Sequence, residues 1–455
     1  MPRLPAIGPR GFAGLAFLLG VALRFAGLEH ANADADQFLI PWYVHARDHG
    51  IASLGQAFTN YTPFFTYLLL VATWFDGLAP PMALIKAISF PFELGCAVLA
   101  GRLLTVVDPR PIRSALAFAA VWLAPSVLYN GALWGQADSL WTFFILAALL
   151  AFCRDRPVLG MLAFAVAVSV KAQAVFLGPL VFGLALRGVI PWRWFAAIPA
   201  VYLALAVPTL LAGRSLADIS SIYLGQARAF RLLSVSAANL YMFVPESWYW
   251  PGLAVGILLA AAAGLALAVL IARPPRLPPE RLLFAAAVSL ILMPFVLPKM
   301  HERYFYAFEV LIIVLACARP SLARFALLAQ VTSIMAYLPY DGRGDQFVPM
   351  VAVTNLVLLL VLAKGLRDAL GSRPDPQGGV LIDGQALTSL VAAVWASFLI
   401  QLGLLACFSR WIEVANVFPH ERTDPRGMAV VLGLLVLMLL VRSRHRPPAA
   451  SAAPA

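Results

Sequence analysis

Apolar runs of about 15–23 residues recur along nearly the whole 455-residue chain, separated by short polar breaks. Runs of that length match the roughly 20-residue helix that crosses the hydrocarbon layer of a bilayer. The pattern predicts spans at 11–27, 82–104, 112–128, 138–153, 157–170, 174–187, 195–212, 251–272, 281–297, 304–318, 322–340, 347–366, 386–408 and 428–442. The chain therefore reads as an all-α, polytopic transmembrane helix bundle of about 12–14 crossings. No internal repeat emerges, which weighs against the common transporter architectures.

Composition agrees. Hydrophobic residues make up 62% of the chain and charged residues 12%, with a mean hydropathy of +0.85; a soluble domain is about a quarter charged. The net charge of +11 raises nucleic acid as a partner, but the Lys and Arg residues are confined to short loops, as the positive-inside rule requires, so no nucleic acid is expected. Cys96, Cys153, Cys317 and Cys407 lie far apart in or beside apolar runs. They read as small core residues rather than a disulfide framework or zinc site. Ala31-Asn32-Ala33 resembles a signal-peptide cleavage site, yet 11–27 reads better as an uncleaved first span with Arg24 snorkelling at its outer end.

Charge fixes the topology. Clusters at Arg3/Arg10, Arg102/Arg110/Arg113, Arg154/Arg156, Arg187/Arg193, Arg273/Arg276/Arg281, Arg319/Arg324, Lys364/Arg367/Arg373 and Arg442/Arg444/Arg446 belong on the cytoplasmic side. That parity holds only if the apolar stretch 64–79 does not cross and lies instead at the outer interface. External segments then fall at 28–81, 129–137, 171–173, 213–250, 298–303, 341–346 and 409–427. Residues 1–366 form the main module, the Gly/Pro/Asp-rich 367–385 a cytoplasmic linker, 386–442 the last helices, and the Ala/Pro-rich 443–455 a disordered tail.

The external segments collect nearly all the polar chemistry. Asp34 and Asp36 follow the first span; either carboxylate suits a general base facing an acceptor hydroxyl, or caps a short helix starting near Gln37. Asn60 and Tyr61 precede Pro63, an ordinary helix-start proline. Trp134, Gln136 and Asp138 open the 138–153 span; they suit sugar stacking and hydroxyl binding, or Asp138 is a helix-dipole partner. Lys171 and Gln173 interrupt an apolar stretch. Lys299, His301, Glu302, Arg303 and Tyr304 form the densest ionisable group, with Lys299 and Arg303 on one side of any helix starting there. Such cations suit a lipid-linked phosphate, with Arg228 and Arg231 as additions, or snorkel at the interface. No HxxH or HExxH spacing is present, so catalytic zinc is not expected. A divalent ion held by carboxylates and a phosphate is a weaker alternative to no cofactor at all.

Taken in order, Asp34–Trp42, Phe58-Thr59-Asn60-Tyr61-Thr62-Pro63, Asn130–Asp138, Lys171-Ala172-Gln173 and Pro298–Phe305 resemble the GT-C superfamily of glycosyltransferases. They are most similar to bacterial relatives of the lipid-phosphosugar mannosyl- and glucosyltransferases. The resemblance covers roughly 11–340. It implies a GT-C fold with external juxtamembrane helices, residence in a bacterial cytoplasmic membrane and an active site on the extracytoplasmic face. It also implies inverting transfer of a hexose from a polyprenyl-phosphate sugar to a glycan, lipid or protein hydroxyl. The family's base is one acidic residue in the first external loop. Asp34 matches by its spacing to Phe38, Pro41 and Trp42, with Asp36 in reserve. The departure from the family pattern is Ala33, where a Gly is expected. A flippase or exporter of a lipid-linked sugar is the competing class, and would need polar residues at mid-membrane.

Overall fold

The computed structural model describes residues 8–32, 34–341 and 347–371. The expected spans 386–408 and 428–442, the tail 443–455, and Ala33 and Cys407 lie outside the described residues. The first half of the chain runs α1 (Pro9–Ala26), α2 (Ile40–His49), α3 (Pro63–Thr73), α4 (Pro81–Val107), α5 (Pro111–Trp122), α6 (Pro125–Val127), α7 (Asp138–Cys153) and α8 (Pro157–Val170). The second half runs α9 (Gly178–Leu186), α10 (Ala197–Leu211), α11 (Leu216–Arg228), α12 (Tyr249–Ala272), α13 (Pro279–Val296), α14 (Tyr306–Ala318), α15 (Ala323–Tyr337) and α16 (Phe347–Gly371). Proline occupies the first turn of α1, α3, α4, α5, α8 and α13, where its missing N–H costs nothing and its fixed φ suits the helix.

The chain is an integral membrane helix bundle. Six described helices are long and apolar enough to cross a bilayer, or seven if the bent pair Pro111–Trp122 and Pro125–Leu133 is one span. The other expected spans that fall within the described residues appear where the pattern put them, but as short helices. Helices α7 and α8 take the expected bounds at only 16 and 14 residues, about 24 and 21 Å at the helical rise. Most of α7 is buried by protein, and short helices surrounded by protein need not match lipid thickness. The 112–128 span breaks before Pro125, which lacks an N–H and disfavours helix at the preceding residue. At the expected linker, α16 continues helical to Gly371, with Lys364 and Asp368 paired one turn apart.

The apolar stretch 64–79 forms the 11-residue α3, about 16 Å long and half the hydrocarbon thickness. Exposed Trp74, Phe75 and Leu78 follow it. The expected external segments 28–81, 129–137, 171–173, 213–250 and 298–303 meet at one end of the bundle, while 342–346 and 409–427 lie outside the described residues. Thr62 donates to the Val170 carbonyl at 2.8 Å and Gln226 Nε2 to the Asn60 carbonyl at 2.6 Å. Strand β1 (Ser234–Val235) pairs in parallel with β2 (Met300–His301), tying the 213–250 segment to 298–303. Basic side chains gather on the loops of the other end: Arg113 on the Cys317 carbonyl at 3.0 Å, Arg187 on that of Ile271 at 3.2 Å, and Arg319 on Glu280 at 2.6 Å.

Arg24 departs from expectation. It does not snorkel: it is 1% exposed and its guanidinium meets Glu93 of α4 at 2.6 Å. Glu93 offers a carboxylate inside the bundle, and pairing there removes two charges from the lipid-facing ledger at once. Arg24 also donates to the Trp122 carbonyl at 3.2 Å and lies over the Trp122 ring at 3.4 Å, so one side chain joins α1, α4 and α5. Gly131 keeps this pair in place, because a Cβ there would fall 1.6 Å from Glu93 Oε1.

Arg24→Ala strands the Glu93 carboxylate and should destabilise the fold by about 3–5 kcal/mol, read as a lowered thermal midpoint in detergent. A midpoint equal to wild type would show the pair to be dispensable. Separately, an Ala79→Cys thiol, with the four native cysteines replaced, should react with an impermeant reagent from outside intact cells. Reaction only after permeabilisation would show that 64–79 crosses.

Candidate functional site

Two π-helical turns, Ala35–Leu39 and Leu128–Leu133, flank the external end. Such turns are rare and widen the helix where they occur. The first follows Asp34. Neither aspartate caps its helix: Asn32 Oδ1 accepts the Ala35 N–H at 2.9 Å, and Asp34 as N-cap residue makes no capping bond. Capping by Asn32 leaves the half-buried Asp34 carboxylate for other work, while Asp36 is exposed to the surroundings.

That work is done with Gln136. Its Nε2 donates to Asp34 Oδ2 at 2.5 Å, and its Oε1 accepts from Tyr61 OH at 3.3 Å. Gln136 is 1% exposed, with both ends of its amide engaged by Asp34 and Tyr61. Trp42 and Phe65 pack on the Tyr61 ring at 5.4 and 4.6 Å.

Asp138 is the hub beneath. It is fully buried and accepts from Lys171 Nζ at 2.6 Å, Trp141 Nε1 at 3.1 Å and Asn130 Nδ2 at 3.0 Å. Arg303 Nε lies 3.7 Å away and its Nη1 reaches Glu302 at 2.6 Å. Both oxygens of Asp138 are thus engaged by protein groups. Burial works against the Arg303 charge, but Glu302, Tyr61 and Asp138 outweigh it and hold the guanidinium well above its usual value. Lys171 and Arg303 are thus ion-paired, not interfacial anchors.

The expected cation cluster divides. Lys299 and Arg303 do not share a helix face, because Lys299 adopts φ +65° and β2 intervenes before the helical turn at Glu302. Lys299 Nζ turns away to the Phe230 carbonyl and to Tyr249 OH, the latter at 2.9 Å. Arg231 lies over the same Tyr249 ring at 5.8 Å, and Arg228 is exposed. A left-handed lysine costs about 1–3 kcal/mol and persists where the surroundings hold it; here its N–H donates to the Leu233 carbonyl at 2.6 Å. His301 lies between the two groups, its ring 5.6 Å from Phe230 and 5.2 Å from Tyr304. Burial pushes its imidazole below the usual value against the pull of Glu302, and its Nδ1 lies 3.7 Å from the Glu302 carboxylate.

The remaining expected residues scatter. Trp134 is 1% exposed and walled by Tyr129, Tyr337 and Arg303, which leaves no face for stacking a sugar. Asn60 is exposed, and it is its carbonyl that engages Gln226. Gln173 is buried with Oε1 unpartnered. Tyr304 packs on Phe176 at 6.2 Å, with Lys171 and Arg303 about its ring. Glu302 also lines a polar cavity with Glu309, Ser333 and Asn355 that holds little more than one water-sized occupant. Among the described residues no three His, Cys, Asp or Glu side chains assemble as a metal site. Sequence reasoning missed Trp141 and Tyr337, which serve the hub from inside apolar runs.

No protein-family model matches the chain, and no curated protein matches it. Among solved structures it is similar to the crystal structure of ArnT from Cupriavidus metallidurans bound to undecaprenyl phosphate. The TM-score is 0.47, with 18% identity over 88% of this chain and 80% of that one. A likeness at that level leaves function to the chemistry of the site.

Asp138→Asn should destabilise the protein by about 3–5 kcal/mol, because it leaves two buried cations short of a partner. Adding Lys171→Met should recover part of that loss. Additive losses in thermal midpoint would show that Lys171 and Asp138 are not coupled.

Proposed function

We propose that the protein is a membrane glycosyltransferase of the GT-C type. It transfers a hexose of the mannose or glucose type from a polyprenyl-phosphate donor to an acceptor hydroxyl on a glycan, lipid or protein. The observation that carries this reading is the Asp34–Gln136–Tyr61 chain of hydrogen bonds. It joins three separated motifs around one carboxylate that no cation neutralises among the described residues. A carboxylate held in one orientation and left unpaired is what a general base needs.

In the proposed step the acceptor O–H gives its proton to Asp34 as its oxygen bonds to the anomeric carbon. The carbon–oxygen bond to the lipid phosphate breaks on the opposite face, and the phosphate leaves with the electron pair, inverting the centre. One base suffices, since phosphate needs no protonation to depart; glycosidases with poorer leaving groups use two carboxylates. The departing charge calls for preorganised cations. Lys299 and Arg231, free of carboxylate partners among the described residues, suit the phosphate, and Arg303 and Lys171 supply the field behind the sugar. No cofactor enters this step. The basic loops at the opposite end favour a bacterial cytoplasmic membrane with the site facing outward. A flippase for a lipid-linked sugar would need polar groups open at mid-membrane. The pair found there, Arg24 with Glu93, is closed on itself.

Asp34→Asn should lower transfer by about 10²–10⁴-fold with expression and donor binding retained, measured with radiolabelled undecaprenyl-phosphate sugars in proteoliposomes. Asp36→Asn should stay near wild type. The reverse pattern would move the base to Asp36.

A further inference from the structure

Helix α4 carries Met82, Lys86, Ser89 and Glu93 at the spacing that places side chains on one helical face. Three of them are polar within an apolar span, a costly arrangement that calls for a reason. Glu93 has its reason in Arg24. Ser89 and Lys86 act on backbone. Ser89 donates to the Gln136 carbonyl at 2.8 Å. Lys86 is fully buried, and its ammonium donates to the carbonyls of Gly27 and His30, each at 2.6 Å. No carboxylate pairs with it among the described residues; its charge rests on the carbonyls at the C-terminal end of α1, the negative end of that helix's dipole.

Both contacts bear on the same hydrogen bond. Residues 27–30 lead directly into Asp34, while Gln136 is the donor that orients it. Gly135, at φ +78°, packs on this face so closely that a Cβ would sit 2.5 Å from Met82 Cε and 3.3 Å from Lys86 Cγ. The Asp34 segment and the Gln136 segment therefore share one anchor, although 102 residues separate the two partners.

We propose that Lys86 is a positioning residue for the Asp34–Gln136 couple. It sets where the first external segment leaves α1, and so whether Asp34 reaches Gln136 and the acceptor. Ser89 fixes the other half from the next turn. The proposal rests on the glycosyltransferase reading for its catalytic consequence, but the positioning can be read without activity.

Lys86→Met keeps the stem and removes both hydrogen bonds. In full-length protein it should lower kcat by about 10–100-fold, the scale of an ångström-sized misplacement, with the donor KM within about threefold of wild type. Lys86→Arg should restore part of kcat. Ser89→Ala, a milder change, should also lower kcat alone, and keeps the test alive if Lys86→Met does not fold. A raised KM with unchanged kcat would overturn the proposal. Independently of turnover, an Asp34→Cys thiol in a background without the native cysteines should react several-fold faster with a small thiol reagent once Lys86→Met or Ser89→Ala is added. An unchanged labelling rate in folded protein also overturns it. If wild type transfers no sugar from any donor while labelling still responds, the glycosyltransferase reading fails and the positioning stands.

Discussion

A single buried carboxylate, Asp138, is the interaction on which the external end of this bundle depends. It is fully enclosed, yet it holds Lys171 from the segment after α8 and draws Arg303 from the segment before α14. Without it, Lys171 would sit uncompensated among apolar side chains, a cost of several kcal/mol, and Arg303 would be left with Glu302 alone. Asn130 and Trp141 supply the further hydrogen bonds that a buried charge requires. Three stretches far apart in sequence, 130–141, 171 and 303, are thereby fixed around one point.

A second buried pair, Arg24 with Glu93, gives the same service for the helices beneath Asp34. The two anchors meet on the 130–138 segment. Gly131 accepts the close approach of Glu93, while Asn130 and Asp138 belong to the hub. Between them lies Gln136, the donor to Asp34. A polar side chain one residue out of register there would lose its partner, so the extra residue of the π-helical turn at Leu128–Leu133 has a geometric role.

Much of this was legible in the sequence, for physical reasons that can be named. Apolar run length located nearly every helix, because lipid imposes both length and composition. Basic clustering argued that 64–79 stays out of the membrane, and the helix formed there, α3, has only 11 residues. The polar motifs at 34, 60–61, 134–138, 171–173 and 299–304 were found because polar residues stand out in a chain this apolar. What each does was less legible. Lys171 and Arg303 stood out as cations suited to a phosphate, but sequence shows charge and not the carboxylates that pair with it here. Spacing put Lys299 beside Arg303 only under a helical assumption that the left-handed Lys299 breaks. Lys86 and Ser89 were hidden because their partners are backbone carbonyls, which leave no mark on the residue code.

The resulting charge arrangement has a consequence for chemistry. Lys171 and Arg303 are balanced by Asp138 and Glu302, so the inner pocket is close to neutral while rich in oriented dipoles. Lys299 and Arg231 about Tyr249 keep unbalanced positive charge farther out. In the proposed reaction an anionic leaving group would be drawn toward that outer group, away from the carboxylate of Asp34. The proposed proton acceptance and phosphate departure would then fall at different places, as a single displacement with inversion demands. Had all the cations gathered at Asp34, the base would have been paired and weakened, and the driving field would have pointed the wrong way. Asp138 and Glu302 each hold a cation of their own, and among the described residues Asp34 enters no ion pair and accepts from Gln136.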